Sequence, residues 1–162
     1  MRRVCLPILI GAALCSASPG AVGAAVRRPA LAHHLSLGKH TPVFTYALTG
    51  GTSRGGSFHV IFYGDGRVAL KKDVRTSPLR LTNPLIQIRG DALDGLLKLA
   101  EAEKFFQMPA RKIGPNPLTD ASTSCITIVT VEETKRACIF SAHVPAFNQL
   151  WAILEYVSGL QI

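Results

Sequence analysis

FHVIFYGDGRVALKK, residues 58–72, is the stretch that decides the fold. Two strand-forming runs flank Gly64-Asp65-Gly66-Arg67, and Asp-Gly is a dipeptide that tolerates the positive φ of a primed hairpin turn. The stretch is therefore expected to fold as an antiparallel hairpin. Upstream, GGTSRGGS (residues 50–57) supplies four glycines and no apolar side chain, which suits only a loop. Before it, VFTYAL alternates Phe44, Tyr46 and Leu48 with smaller or polar residues, the period-2 signature of an opening strand.

Downstream, Pro78 and Pro84 in SPLRLTNP argue against a central strand, and residues 85–89 form a short extended piece suited to an edge. Asp91 is expected to N-cap a helix over ALDGLLKLAEAEKFF, whose Leu93, Leu96, Leu97 and Ala100 recur at helical spacing. Asp94 favours its first turn, and Gly95 weakens it without breaking it. Pro109, Pro115 and Pro117 make MPARKIGPNPLTD a long surface loop by composition. CITIVTVE and KRACIFS give a second hairpin about Glu133-Thr134. Pro145 then opens a closing helix with Phe147, Leu150, Trp151, Leu154 and Val157 as its apolar stripe. The expected class is α+β: an antiparallel sheet of two hairpins plus the opening strand, with two amphipathic helices on one face.

The first 24 of 162 residues, MRRVCLPILIGAALCSASPGAVGA, have the form of a signal peptide: Arg2 and Arg3, an apolar run from Val4 to Cys15, and a small-residue Val22-Gly23-Ala24 site. The run is too short and too broken by Pro and Gly to span a bilayer, so no transmembrane anchor is expected. Leu14 before Cys15 departs from a lipobox, which wants Gly or Ala there. Residues 25–41 carry three basic residues (Arg27, Arg28 and Lys39) besides three histidines, no acid and no sustained period, and are expected to be a flexible basic leader. Residues 42–162 then form a single domain in an exported, periplasmic or extracellular protein.

The chain holds 18 basic and 10 acidic residues. The signal segment takes two of the basic ones and no acid, so the remainder keeps a net charge of +6. Such a balance favours anionic partners, though a solvated surface is the simpler account. No aromatic-basic nucleic-acid motif accompanies it. Cys125 and Cys138 remain after export, which invites a disulfide. A two-residue turn at Glu133-Thr134, however, would set Cys138 opposite Val129 and leave Cys125 about 13 Å along the strand. Bridged Cα atoms lie within about 7 Å, so two small core residues are expected rather than a bridge.

No chemical motif is complete. Gly50 and Gly55 bracket four residues, but Gly56 stands where a phosphate loop needs Lys, and a strand follows. His33, His34 and His40 match no zinc spacing, so adventitious metal binding is their expected chemistry. His59 and His143, with Asp65, Asp120, Ser122 and Ser124, hold the residue types of a Ser-His-Asp hydrolase without a GxSxG elbow. Asp65 is explained by its turn and Asp120 by bonds to backbone N–H groups at the start of the second hairpin. Arg54, Lys71, Lys72, Arg75, Arg80, Arg111 and Lys112 form either one basic patch or a scattered solvated face. No enzyme activity and no cofactor are expected.

YGDGRV at residues 63–68, ALDGLLKLAEAEKFFQMP at 92–109, Asp120 before CITIVTV, KRA, and VPAFNQLWAILEYV at 144–157 together resemble a family of exported, uncharacterised bacterial α+β domains. Thr49-Gly50-Gly51, Phe105 to Pro109 in the Phe-Phe-x-x-Pro pattern, the Asp-led strand and Pro145-Ala146 are distantly similar to emfourin-type inhibitors of thermolysin-like metallopeptidases. The chain departs from that pattern in its exported leader, its longer GGTSRGG loop and the insertion over residues 73–84. The resemblance implies a non-catalytic domain that binds another exported protein, with a peptidase as the candidate partner. Arg54, Gly55 and Gly56 in one loop and Pro115 and Asn116 in the other are the binding positions to examine. An alternative is a cell-envelope module for anionic lipid or polymer; a small hydrolase is the third class.

Overall fold

The computed structural model describes residues 33–36, 38–50, 56–73, 79–83, 85–118 and 121–161. The signal segment, residues 25–32 of the leader, and Arg54, Gly55, Arg75 and Asp120 lie outside the described residues. In chain order the elements are β1 (Pro42–Thr49), β2 (Phe58–Tyr63), β3 (Val68–Lys72), β4 (Arg80–Leu81), α1 (Gly90–Ala102), a 3₁₀ turn (Phe105–Gln107), β5 (Arg111–Ile113), β6 (Thr123–Val129), β7 (Thr134–Phe140), α2 (Pro145–Ser158) and β8 (Leu160–Gln161). No helix among the described residues is long and apolar enough to cross a membrane.

Six strands form one sheet in the order β3-β2-β1-β6-β7-β5, and β4 pairs with β8 in a separate two-stranded ribbon. Alternation sends Phe44, Tyr46, Val60, Phe62, Ile126, Ile128, Ala137 and Ile139 to one face, where all are buried. Leu93, Leu96, Leu97 and Ala100 of α1 and Phe147, Leu150 and Leu154 of α2 pack against them, as the helical spacing predicts. Each fully buried Leu or Phe contributes roughly 1.5–3 kcal/mol relative to exposure. Neither helix has a side-chain N-cap bond, so this buried stripe holds them in place.

The class is α+β as expected, but the sheet is mixed rather than antiparallel, because β5 runs parallel to β7. β5 lies in the proline-rich stretch expected to be a loop. Its three residues are all exposed, so no periodicity marks them; backbone bonds make the strand. Cys138 N–H donates to Ala110 O and Gly114 N–H to Phe140 O, each at 2.9 Å. The approach is so close that a Cβ on Gly114 would sit 1.7 Å from Ser141 O.

Both hairpins form, each with a different turn from the one expected. In the first, Tyr63 N–H donates to Arg67 O and Gly66 N–H to Tyr63 O, which encloses three residues. Only Gly66 of that loop has positive φ, +86°, the signature of a bulge turn rather than a primed two-residue turn. In the second, Val129 pairs with Thr134, and the turn centres on Val131-Glu132 instead of Glu133-Thr134. Thr130 closes it: its N–H and its hydroxyl both donate to Glu133 O, and its Oγ1 accepts from Glu133 N–H. The register moves by four, Cys125 faces Cys138 with Cα atoms 4.1 Å apart, and the two form a disulfide. Two unbridged core cysteines were the expectation; the turn position overturns it.

Asp91 is not the N-cap of α1 but lies in its first turn, where its carboxylate accepts from Ala92 N–H and pairs with Arg89. The helix also stops short of the expected Phe106. Lys104 adopts left-handed φ (+56°), and the chain tightens into the 3₁₀ turn that buries Phe105. The extended piece at residues 85–89 pairs at an edge as expected, through Gln87 opposite Arg67. Order begins before Pro42, since Leu35 of the leader stretch pairs with Thr130 and is buried.

Two stability measurements follow. Gly95 is exposed on α1 and a Cβ there meets nothing within 4 Å, so Gly95→Ala is expected to stabilise the fold by about 1 kcal/mol in urea unfolding. The disulfide closes a sequence separation of 13, so unfolding under reducing conditions is expected to lose about 3 kcal/mol. An unchanged midpoint on reduction would mean that the turn alone holds β6 to β7.

Candidate functional site

The sheet register brings one end of four strands to a common rim. Thr49 of β1 pairs with Thr123 of β6, Thr123 with Phe140 of β7, and Phe140 with Ile113 of β5. The glycine-rich loop leaves the sheet at Thr49, and the proline-rich loop leaves it at Ile113. The parallel direction of β5 therefore delivers the second loop to the same rim as the first.

Side chains pin both loops there. Ser122 donates its hydroxyl to Gly50 O at 3.0 Å, and Gly50 N–H donates to Ser57 Oγ at 3.2 Å. Gly50 and Gly56 both take left-handed φ, +74° and +68°, so glycine suits both ends of this loop. On the other side, Leu118 N–H donates to Ser141 Oγ at 3.3 Å, with Ser141 itself at φ +48°. Ile113 is 49% exposed and Leu118 71% exposed beside this anchor.

Between rim and α2 lies an open groove of about 310 Å³. Ile139, Phe147 and Trp151 give it apolar walls, and Ser122, Ser124, Ser141, His143 and Asn148 line it with hydrogen-bonding groups. Trp151 is held edge-on by Tyr46 at 5.0 Å and stacked on Phe147 at 6.1 Å, leaving it half-buried. The His143 ring pairs with Asn148 through Nδ1 at 2.8 Å. Such a surface can hydrogen-bond an extended peptide and receive an apolar side chain.

Of the positions singled out in the sequence, Gly56, Pro115 and Asn116 belong to this rim, the latter two exposed; Arg54 and Gly55 are outside the described residues. Ser141, Asn148 and Trp151 were not expected here, whereas His143, Ser122 and Ser124 were singled out as hydrolase candidates. Trp151 was legible only as a core residue in the closing helix, and nothing in the sequence indicates that one side of it faces a groove.

Of the hydrolase set, His143, Ser122 and Ser124 line this one groove, whereas His59 and Asp65 lie elsewhere and Asp120 is outside the described residues. His59 and Asp65 lie at opposite ends of β2, and the Asp65 carboxylate is taken by Arg67 Nε at 2.8 Å, which helps hold it below the usual carboxylate range. His143 is bonded to Asn148 and Ser122 to Gly50 O. The three leader histidines also diverge: His33 and His34 face glutamates, whereas His40 lies 3.2 Å from Arg67. Among the described residues, no three His, Cys, Asp or Glu cluster in a way that could hold a metal ion.

The basic residues separate in the same way. Lys71, His59, Ala47, Cys125, Cys138 and Arg111 form one row across the helix-free face. Lys71 and Arg111 are thus at opposite edges, about 24 Å apart at sheet spacing. Lys72 and Lys112, one residue along in each strand, alternate to the other face. No family model and no curated protein matches the chain.

Ser141→Gly separates anchoring from stability. Glycine relieves a left-handed backbone worth about 1 kcal/mol, so global stability is expected to hold or rise. Loss of the hydroxyl acceptor is expected to speed amide exchange at Leu118 several-fold. Unchanged exchange at Leu118 would show that Ser141 does not anchor the loop.

Proposed function

We propose that this chain is an exported, non-catalytic protein-binding domain whose loop rim enters the substrate cleft of a metallopeptidase outside the cytoplasm and blocks it. One observation carries the reading: two loops far apart in sequence are tethered by Ser122 and Ser141 at a single rim beside an open, mostly uncharged groove. Tethered loops lose less conformational freedom on binding, so more of the contact energy survives as affinity. Leu118 and Ile113 offer exposed apolar contact on the β5 side of that rim, and Pro115 limits the loop's freedom. The Cys125–Cys138 disulfide supports an oxidising compartment, where such bonds persist. The similarity to emfourin-type inhibitors supplies the peptidase class.

A second reading, an envelope module for anionic lipid or polymer, is favoured by the helix-free face. The six strands of the main sheet carry no carboxylate, and that face presents Lys71, Arg111 and Arg136. Salt distinguishes the two, since contacts between exposed charges fade at high ionic strength whereas a packed rim interface survives.

The test is titration of thermolysin-like metallopeptidases with the purified chain, following peptidase activity and the integrity of the added protein by mass. Stoichiometric inhibition is expected. Deleting residues 51–55, or Leu118→Asp, is expected to weaken inhibition at least tenfold, about 1.4 kcal/mol, with little change in melting temperature. Equal loss of inhibition and of stability on deleting the loop would overturn the rim as the binding element.

A further inference from the structure

At the end of the sheet opposite the loop rim, residues 33–35 lie across the β6–β7 turn. Leu35 bridges Thr130 and is buried, and Val131 N–H donates to His34 O at 2.8 Å. The contacts around the two histidines are acidic on every side that bonds them. His33 Nδ1 is 2.9 Å from Glu101 Oε1 of α1, and its Nε2 is 3.1 Å from Glu133 Oε1 of the turn. Its backbone N–H also donates to Glu101 at 2.9 Å, and its ring stacks on Phe106 with centroids 3.8 Å apart. His34 directs Nδ1 and backbone N–H to the two carboxylate oxygens of Glu132, at 2.7 and 2.9 Å.

A neutral imidazole has one N–H and one lone pair. With both His33 nitrogens against carboxylate oxygens, the neutral ring would turn its lone pair on one of them; only the imidazolium donates to both. A cation on the Phe106 face is favoured as well.

We propose that His33 is a protonation-operated latch: as imidazolium it clamps residues 33–35 between α1 and the β6–β7 turn, and as neutral imidazole it lets them go. The charged groups that act on the ring are Glu101 from α1 and Glu133 from the turn; the 3₁₀ turn contributes only the uncharged Phe106. Burial lowers the pKa of His33, but the two carboxylates outweigh it and hold the group above its ordinary value near 6.5. Docking is therefore at full strength below that ordinary value and is lost as pH rises through the higher, docked value. The Glu132 side behaves oppositely. The His34 backbone N–H and ring hold its carboxyl down at about 2, so its contribution is lost only as pH falls from the usual carboxylate range towards that value. The latch is closed in mildly acidic solution and opens on the alkaline side. Opening uncovers Phe106 and the slot of Leu35. None of this depends on what binds the rim.

NMR of the full chain between pH 5 and 9 tests it by following the His33 ring, the Leu35 methyls and the Val131 amide. Expected is a His33 midpoint above the ordinary histidine value, with Leu35 and Val131 shifting at the same midpoint. Affinity of the segment for its slot should fall on the order of tenfold for each unit between the docked and free pKa. His33→Gln is expected to make the Leu35 and Val131 signals independent of pH over this range, while His34→Gln leaves the midpoint in place. Signals that stay in the docked position after the His33 ring has lost its proton would overturn the latch. A wild-type midpoint in His33→Gln would overturn it too.

Discussion

The hydroxyl of Tyr46 meets that of Ser158 at 2.7 Å inside the core, and this contact ties the middle of the sheet to the last turn of α2. Ser158 gives its own proton to Glu155 O, so Tyr46 is the donor. Burial keeps the phenol far above its usual titration range and therefore neutral. The ring also packs edge-on against Phe58 and Trp151 and lies tilted against Phe62. Tyr46 sits on β1, between β2 and β6, so the contact joins the two antiparallel halves of the sheet to one helix. It also orients Trp151, and with it one wall of the groove.

Placed on that frame, the two ends of the sheet do different things. One end collects loops that begin at Thr49 and Ile113, because β5 runs beside β7 in the same direction. The other end carries the β6–β7 turn, whose Glu132 and Glu133 hold the start of the described chain through His34 and His33. The disulfide lies between them on the helix-free face. Holding β6 to β7, it keeps turn and rim in a constant relation.

The sequence was most legible where a periodic pattern repeats a buried face. Phe44, Tyr46 and Leu48, and the stripe from Phe147 to Leu154, are each explained by one side chain in two or in three to four reaching the core. Legibility failed where backbone bonding alone decides. β5 buries no side chain, so Arg111–Ile113 looks like any exposed loop. The second turn depends on the Thr130 hydroxyl choosing Glu133, a competition among several polar residues that composition does not rank. A shift of that turn by two residues moves the register by four, and with it the partner of Cys138. The rim loops were located from composition, but their meeting was not.

What the sequence determined by itself is the periodic elements, the opening strand, the two hairpins and the two helices, with their inward faces, since alternation and helical spacing are local properties that burial rewards wherever the segment sits. The α+β class follows from the same local patterns. Only the tertiary structure decided which strand edges meet, which cysteines face each other, that two distant loops share one rim, and that two leader histidines face three glutamates. Those outcomes depend on register and on contacts between residues up to about a hundred positions apart, from His33 to Glu133. No local pattern encodes them.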